Sequence, residues 1–348
     1  MKKSLIALAA LAAFGTASAQ STVTISGKLA FGMQAADKDK RAAGIAVTDG
    51  DIRFTAVEDL GGGLKITLAN EMLMRGRDTV GSQVLVPLIP TNGVASTGAG
   101  TSTTTRISSI NYLQARDASL SLSGGFGTVT LGSVEFANGI MGLGRGGAPI
   151  SLAVDFDSSS SGLLASPANQ NFLQYTTPEI FPGLKVAVTQ SDSVNNFYAD
   201  GLNSAGTAIS AGTAISAAND YQGAVQTQTI GLTYNVGALS VAGDMTDYTG
   251  TTKNRNRISG SYDLGVVKFG AGAQTQSGVK NQTVMGFSAP LGPLTVGLAY
   301  AKNDSKKGVA YGASYAFSKT ASLGLTVGDY TGTSFDGTQW RVRLLKSF

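Results

Sequence analysis

The sequence predicts an all-β chain closed into a transmembrane antiparallel β-barrel of sixteen strands. Three observations carry this. Alternation of apolar and polar residues with period two recurs from Ser21 to Phe348, while helical periodicity is scarce. Every second connection between alternating segments is tight, and several of the others are long and rich in Gly, Ser, Thr and Asn. Outside the first twenty residues, no apolar run reaches the roughly 18 to 20 residues of a spanning helix, so residence in a membrane falls to strands.

The first twenty residues, "MKKSLIALAALAAFGTASAQ", read as a secretory leader. Lys2 and Lys3 form a basic start, Leu5 to Phe14 a short apolar core, and Ala17-Ser18-Ala19 a small-residue cleavage site. The expected organisation is a signal peptide over 1–19 and one barrel domain over 20–348. Loss of the two leader lysines leaves a net charge of about +2, which points to no nucleic-acid partner.

The strands follow in order. In "TVTISGKLAFGM", Val23, Ile25, Leu29, Phe31 and Met33 alternate with Thr24, Ser26, Lys28 and Ala30. "LKITLANEM" repeats the pattern, with Leu64, Ile66, Leu68 and Met72 against Lys65, Thr67 and Glu71. It returns in "TIGLTYNV", "PLTVGLAY", "GVAYGASYAF" and "ASLGLTVGDY". The expected spans are 21–34, 47–58, 62–75, 106–122, 125–133, 171–178, 183–191, 225–236, 238–248, 253–263, 265–276, 280–289, 293–302, 307–317, 320–330 and 338–348. The tight turns are "EDLGG", "SGGF", "TPEIFPG", "NVGA", "DLGV", "APLGP" and "FSKT"; long connections cover 76–105, 134–170 and 192–224. Short turns on one rim and long loops on the other is the layout of an outer-membrane barrel. A closed barrel has no free edge, so the segment "QWRVRLLKSF" must pair with the first strand. Its Trp340, Val342, Leu344 and Phe348 then face lipid, with Phe348 at the periplasmic aromatic girdle and Lys346 reaching the headgroups.

Composition limits the chemistry. There is no cysteine and no histidine, which removes disulfides, most metal sites and the usual Ser-His or Cys-His nucleophile pairs. No metal, no cofactor and no enzymatic activity are expected. "GLGRGG", Gly142 to Gly147, fits G-x-G-x-x-G, but lacks the strand before and helix after that a nucleotide site needs, and reads as a flexible, close-packed loop tip. Alternation directs Lys28, Arg53, Arg75, Arg257, Arg341 and Arg343 into the bore, opposed by Asp51, Glu71, Asp155 and Asp157, with Arg145 in the long loop between the fifth and sixth strands. Fixed charges in a narrow aqueous bore select ions by sign. Two readings stay open: a weakly anion-preferring pore, or solvated lumen charges with no net effect. Other function classes also stay open, namely a channel specific for small organic anions and a structural or adhesive barrel.

Several segments resemble the trimeric general-diffusion porins of the Gram-negative outer membrane, in the subgroup typical of neisseriae and other β-proteobacteria. They are "STVTISGKLAFG", "EDLGGGLKITLANE", "LSLSGGFGTVTLGS", "TTPEIFPGLKVAVTQ" and the final Phe348, in the expected order. The resemblance implies a homotrimer in contact with outer-membrane lipid and lipopolysaccharide, and a third loop folded into the lumen. It also implies that the outer-membrane assembly machinery reads Phe348. Lys28 and Glu71 match a wall lysine and a wall glutamate of that family, and Arg116 matches the arginine ahead of its "LSGGFG". Arg116 shares the parity of Leu120 and Leu122, so either the lower part of that strand faces a subunit interface or Arg116 points outward. Asp51 stands where the family carries an arginine, with Arg53 on the same face, and Ser133 stands at another. The acidic tip usual in the third loop is replaced by Arg145 among glycines.

Overall fold

The computed structural model describes residues 21–36, 44–74, 113–135, 139–152, 156, 162–164, 169–193, 227–248, 254–334 and 336–348. The expected leader, Arg75, Asp155 and Asp157 lie outside these residues.

Sixteen antiparallel strands close into one barrel, each bonded to its neighbours in sequence and the last to the first. They are β1 (Ser21–Ala36), β2 (Gly44–Gly61), β3 (Leu64–Met74), β4 (Leu113–Gly124), β5 (Gly127–Glu135), β6 (Asn169–Thr176), β7 (Leu184–Ser193) and β8 (Thr227–Val236). Then follow β9 (Leu239–Tyr248), β10 (Arg255–Asp263), β11 (Lys268–Gln276), β12 (Val279–Leu291), β13 (Leu294–Asn303), β14 (Lys306–Ser318), β15 (Ala321–Thr331) and β16 (Gly337–Ser347). The one described helix, α1 (Gly139–Leu143), lies in the third loop, between β5 and β6. The expected strand order and hairpins agree with this architecture. The fourth strand starts at Leu113, and residues 106–112 lie outside the described set.

The short-turn rim is built by local chemistry. In both "EDLGG" and "DLGV" an aspartate accepts a backbone N–H two residues on: Gly61 N to Asp59 at 2.9 Å, and Gly265 N to Asp263 at 2.8 Å. Gly237, with φ +55°, turns the two-residue β8–β9 hairpin, a conformation that a side chain would strain.

Closure matches the sequence pattern. β1 and β16 pair from Lys28↔Ser347 to Ala36↔Gln339, which puts Phe31 beside Leu344 and Met33 beside Val342 on the outer face. The pairing extends one step further, since Gly27 N donates to Phe348 O at 3.1 Å and Phe348 N to Gly27 O at 3.0 Å. Aromatics gather on the outside near the short turns. Phe181 meets Tyr234 with centroids 6.4 Å apart, Tyr315 meets Phe317 at 5.3 Å, and Phe348 is 59% exposed. Large apolar side chains cover the outer wall, and the small apolar core lies inside, where the third loop meets the barrel.

Candidate functional site

One side of the bore is a charged wall on β16, β1, β2, β3 and β4. Cross-strand register sets Lys28 beside Asp51, Ser26 beside Arg53, and Arg53 beside Glu71. The Lys28 ammonium lies 2.9 Å from Asp49 and 3.3 Å from Asp51. Asp49 also holds Arg343 at 3.5 Å. Arg341, two residues up the same face, donates from Nε to the neutral Oε1 of Gln34 at 2.8 Å. Asp49 shares the parity of Asp51 and Arg53, so alternation alone could have found it.

A break in the alternation of β4 sets the direction of Arg116. Asp117 pairs with Glu71 while Ala115 pairs with Met72, so Arg116 is the extra residue of a β-bulge. The bulge breaks strict alternation and swings the guanidinium to 3.3 Å from Glu71, although Leu120 and Leu122 further along face out. Ser133 faces outward with Leu131, so the residue at that position does not change the bore charge.

The opposite side carries the third loop. α1 lies against β9, β10 and β11, and the chain then runs along the inner faces of β11 to β15. Glycines recur along the wall there. Gly144 of the loop approaches the backbone of Ala271 and Gly272, Gly146 approaches Gly270 and Gly286, and Pro149 lies on Gly297 and Gly312. Further on, Leu152 lies on Gly328 and Leu163 on Gly308. Hydrogen bonds fix the seat: Ser288 Oγ donates to Gly146 O at 2.7 Å, Ser151 N to Thr326 Oγ1 at 3.1 Å, and Asn303 Nδ2 to Gly162 O at 3.0 Å. Met141, Phe156, Leu163 and Leu164 are buried against Val284, Ala299, Ala301 and Ala310. The segment "GLGRGG" is therefore pressed against the wall and is not a flexible tip. Its glycines serve close approach and, at Gly146 and Gly147, positive φ, and α1 overlaps its start. Arg145 places its guanidinium 5.5 Å from the centre of the Phe156 ring.

Beside α1, a charged pair missing from the sequence-based expectations joins β9 to β10. Arg257 sits opposite Asp244 and grips it bidentately, with Nε donating at 2.9 Å to Oδ1 and Nη2 to Oδ2. Both side chains are largely buried, at 12% and 4% exposure. Arg255 lies 5.7 Å from the Tyr248 ring centre. The register of this hairpin depends on a loop that sequence pattern does not fix, which is why the partner of Arg257 could not be read from it.

The arrangement is a polar, charge-lined passage, narrowed by an inward loop and walled by a closed sheet with an apolar exterior. It presents bases and acids to a solute path. Comparison with known proteins agrees. A family model described as Gram-negative porin matches residues 7–334. No curated protein sequence matches. Among solved structures, substituted variants of the Rhodopseudomonas blastica porin superpose with a TM-score of 0.60 at 13% and 15% identity, covering 94% of this chain and 100% of theirs. A structure titled "Asymmetric conductivity of engineered proteins" gives a TM-score of 0.59 at 14% identity over the same shares. With the family matched over nearly its whole length, the chain belongs to the Gram-negative porins, barrels of the bacterial outer membrane that form channels for passive diffusion.

Proposed function

We propose that the protein is a general-diffusion channel for small hydrophilic solutes and ions with a weak preference for anions. One observation carries the sign. On the charged wall the described bases Lys28, Arg53, Arg116, Arg341 and Arg343 outnumber the described acids Asp49, Asp51, Glu71 and Asp117 by one. Positive charge is therefore in excess on that side, and ion pairing at Arg116–Glu71 and Arg257–Asp244 keeps the preference weak. In a bilayer across a KCl gradient, the reversal potential is expected to shift toward that of chloride. Arg341→Gln together with Arg343→Gln should reduce the shift. A wild-type potential on the potassium side would overturn the reading.

The same proposal includes a homotrimer and the neisserial or β-proteobacterial subgroup, the latter supported by the quoted motifs. The outer face of β3 to β7 supports subunit contact. There Asn70, Ser133, Asn171 and Gln190 interrupt a field of Leu68, Leu120, Leu131 and Leu173 around a depression of about 930 Å³. Amides facing hydrocarbon find no hydrogen-bond partner, and a neighbouring protein supplies one. The mass of the folded species in detergent tests this, and a monomer would count against it.

Residues 1–19 are proposed as the export signal, lipopolysaccharide as a neighbour in the membrane, and Phe348 as a residue read by the assembly machinery. The exposed Phe348 ring, packed over Gly27 where the sheet closes, supports the last of these. Removing Phe348 should lower the yield of folded, heat-modifiable protein in cells. Normal accumulation of that form would refute the role.

A further inference from the structure

The outer face carries a like-charged pair in an unfavourable place. Lys302 of β13 and Lys307 of β14 stand directly opposite each other. They face outward, on the faces that carry Tyr300 and Leu298 on β13, and Val309 and Tyr311 on β14. Like charges directly opposite in a sheet repel, so this pair is a cost to the barrel on its own. Among the described residues neither ammonium has a carboxylate within 4.0 Å. The nearby Asp304 is taken by Lys280 at 3.6 Å, and the outward Asp329 accepts from Thr338 at 3.5 Å. Hydroxyls flank the pair, with Thr283 opposite Lys302 and Thr331 opposite Lys307. Four neighbouring strands thus present a row of two cations between two hydroxyl donors.

The height of the row identifies its surroundings. Phe317, 59% exposed, marks the short-turn end of β14, ten residues from Lys307. At about 3.3 Å per residue and a tilt of about 40°, that is roughly 25 Å along the membrane normal, the thickness of the apolar band. The pair therefore lies at headgroup level on the long-loop side, with Tyr300 and Tyr311 below it in the outer boundary.

We propose that Lys302 and Lys307, with Thr283 and Thr331, form an external site for a phosphate group on the headgroup of an outer-leaflet lipid. One phosphate between the ammonium groups would convert their repulsion into two charge-assisted contacts. The hydroxyls would donate to its remaining oxygens, and the acyl chains would run down the apolar face below.

Native mass spectrometry of the folded full chain in an uncharged detergent tests this, with phosphatidic acid as the probe and a phosphocholine lipid as reference. Folding of each variant is checked first by its heat-dependent migration. The wild type is expected to retain phosphatidic acid selectively. Lys302→Gln with Lys307→Gln should weaken retention by about fivefold for each lysine removed. Lys302→Arg with Lys307→Arg should keep it, and Lys319→Gln on the opposite rim should not change it. Equal retention by the double glutamine variant would overturn the site, as would equal loss in the arginine variant. Displacement of the lipid by inorganic phosphate at the same concentration would assign the row to free phosphate and overturn the lipid reading.

Discussion

Gly270→Ala combined with Gly312→Ala is expected to lift the third loop off its wall and lower the single-channel conductance. At Gly270 the added carbon would fall 2.6 Å from the Gly146 nitrogen, and at Gly312 it would fall 2.6 Å from the Pro149 carbonyl carbon. These neighbours are backbone, which cannot rotate away. The wall strands are bonded on both sides, so the loop must yield, and the open direction is the bore. Overpacking of this kind costs ~1–3 kcal/mol per site. Replacing a strand glycine returns only ~0.5–1 kcal/mol by restricting the unfolded chain, so the clash wins. Gly324→Ala is the control, because its new carbon meets only strand backbone at 3.8 and 3.9 Å. Planar-bilayer recordings decide the matter. Equal conductance in the double variant and the wild type would mean that the loop is not seated by these glycines.

Asp244→Ala should be the most damaging single charge removal. Arg257 would stay largely buried beside Arg255, without its bidentate partner and next to a like charge. Breaking a buried pair from one side costs ~3–5 kcal/mol, because the remaining ion keeps its desolvation penalty. Removing Arg257 as well should recover part of that loss, since no orphaned charge remains. Urea-unfolding midpoints of the two single variants and the double variant give the coupling. A loss below ~0.5 kcal/mol for Asp244→Ala, the range of ordinary surface changes, would show the pair to be solvated.

The sequence carried the barrel and its closure because both depend on strict alternation and on turns that form locally. The cross-strand pairings of Lys28 with Asp51 and of Arg53 with Glu71 follow the same alternation. Arg116 escaped because a bulge is one extra residue, and one residue reverses parity without changing composition. The Asp244–Arg257 pair escaped because register between neighbouring strands is set by the whole sheet. The seat of the third loop was visible only as an abundance of glycine. The informative feature was which glycines face inward, at Gly270, Gly286, Gly297 and Gly312, and that needs the partner segment to be in place.

That seat has a consequence for divergence within the family. Where the loop rests on β11 to β15, main chain meets main chain at Gly144, Gly146 and Pro149, and apolar side chains such as Leu152, Leu163 and Phe156 fill the rest of the seat that narrows the passage. The proposed charge preference rests elsewhere, on side chains of β16 and β1 to β4. Size limit and charge preference are thus held by separate parts of the barrel. A lineage can exchange Asp51, Arg341 or Arg343 and change which ions it admits, while the largest molecule it admits stays the same.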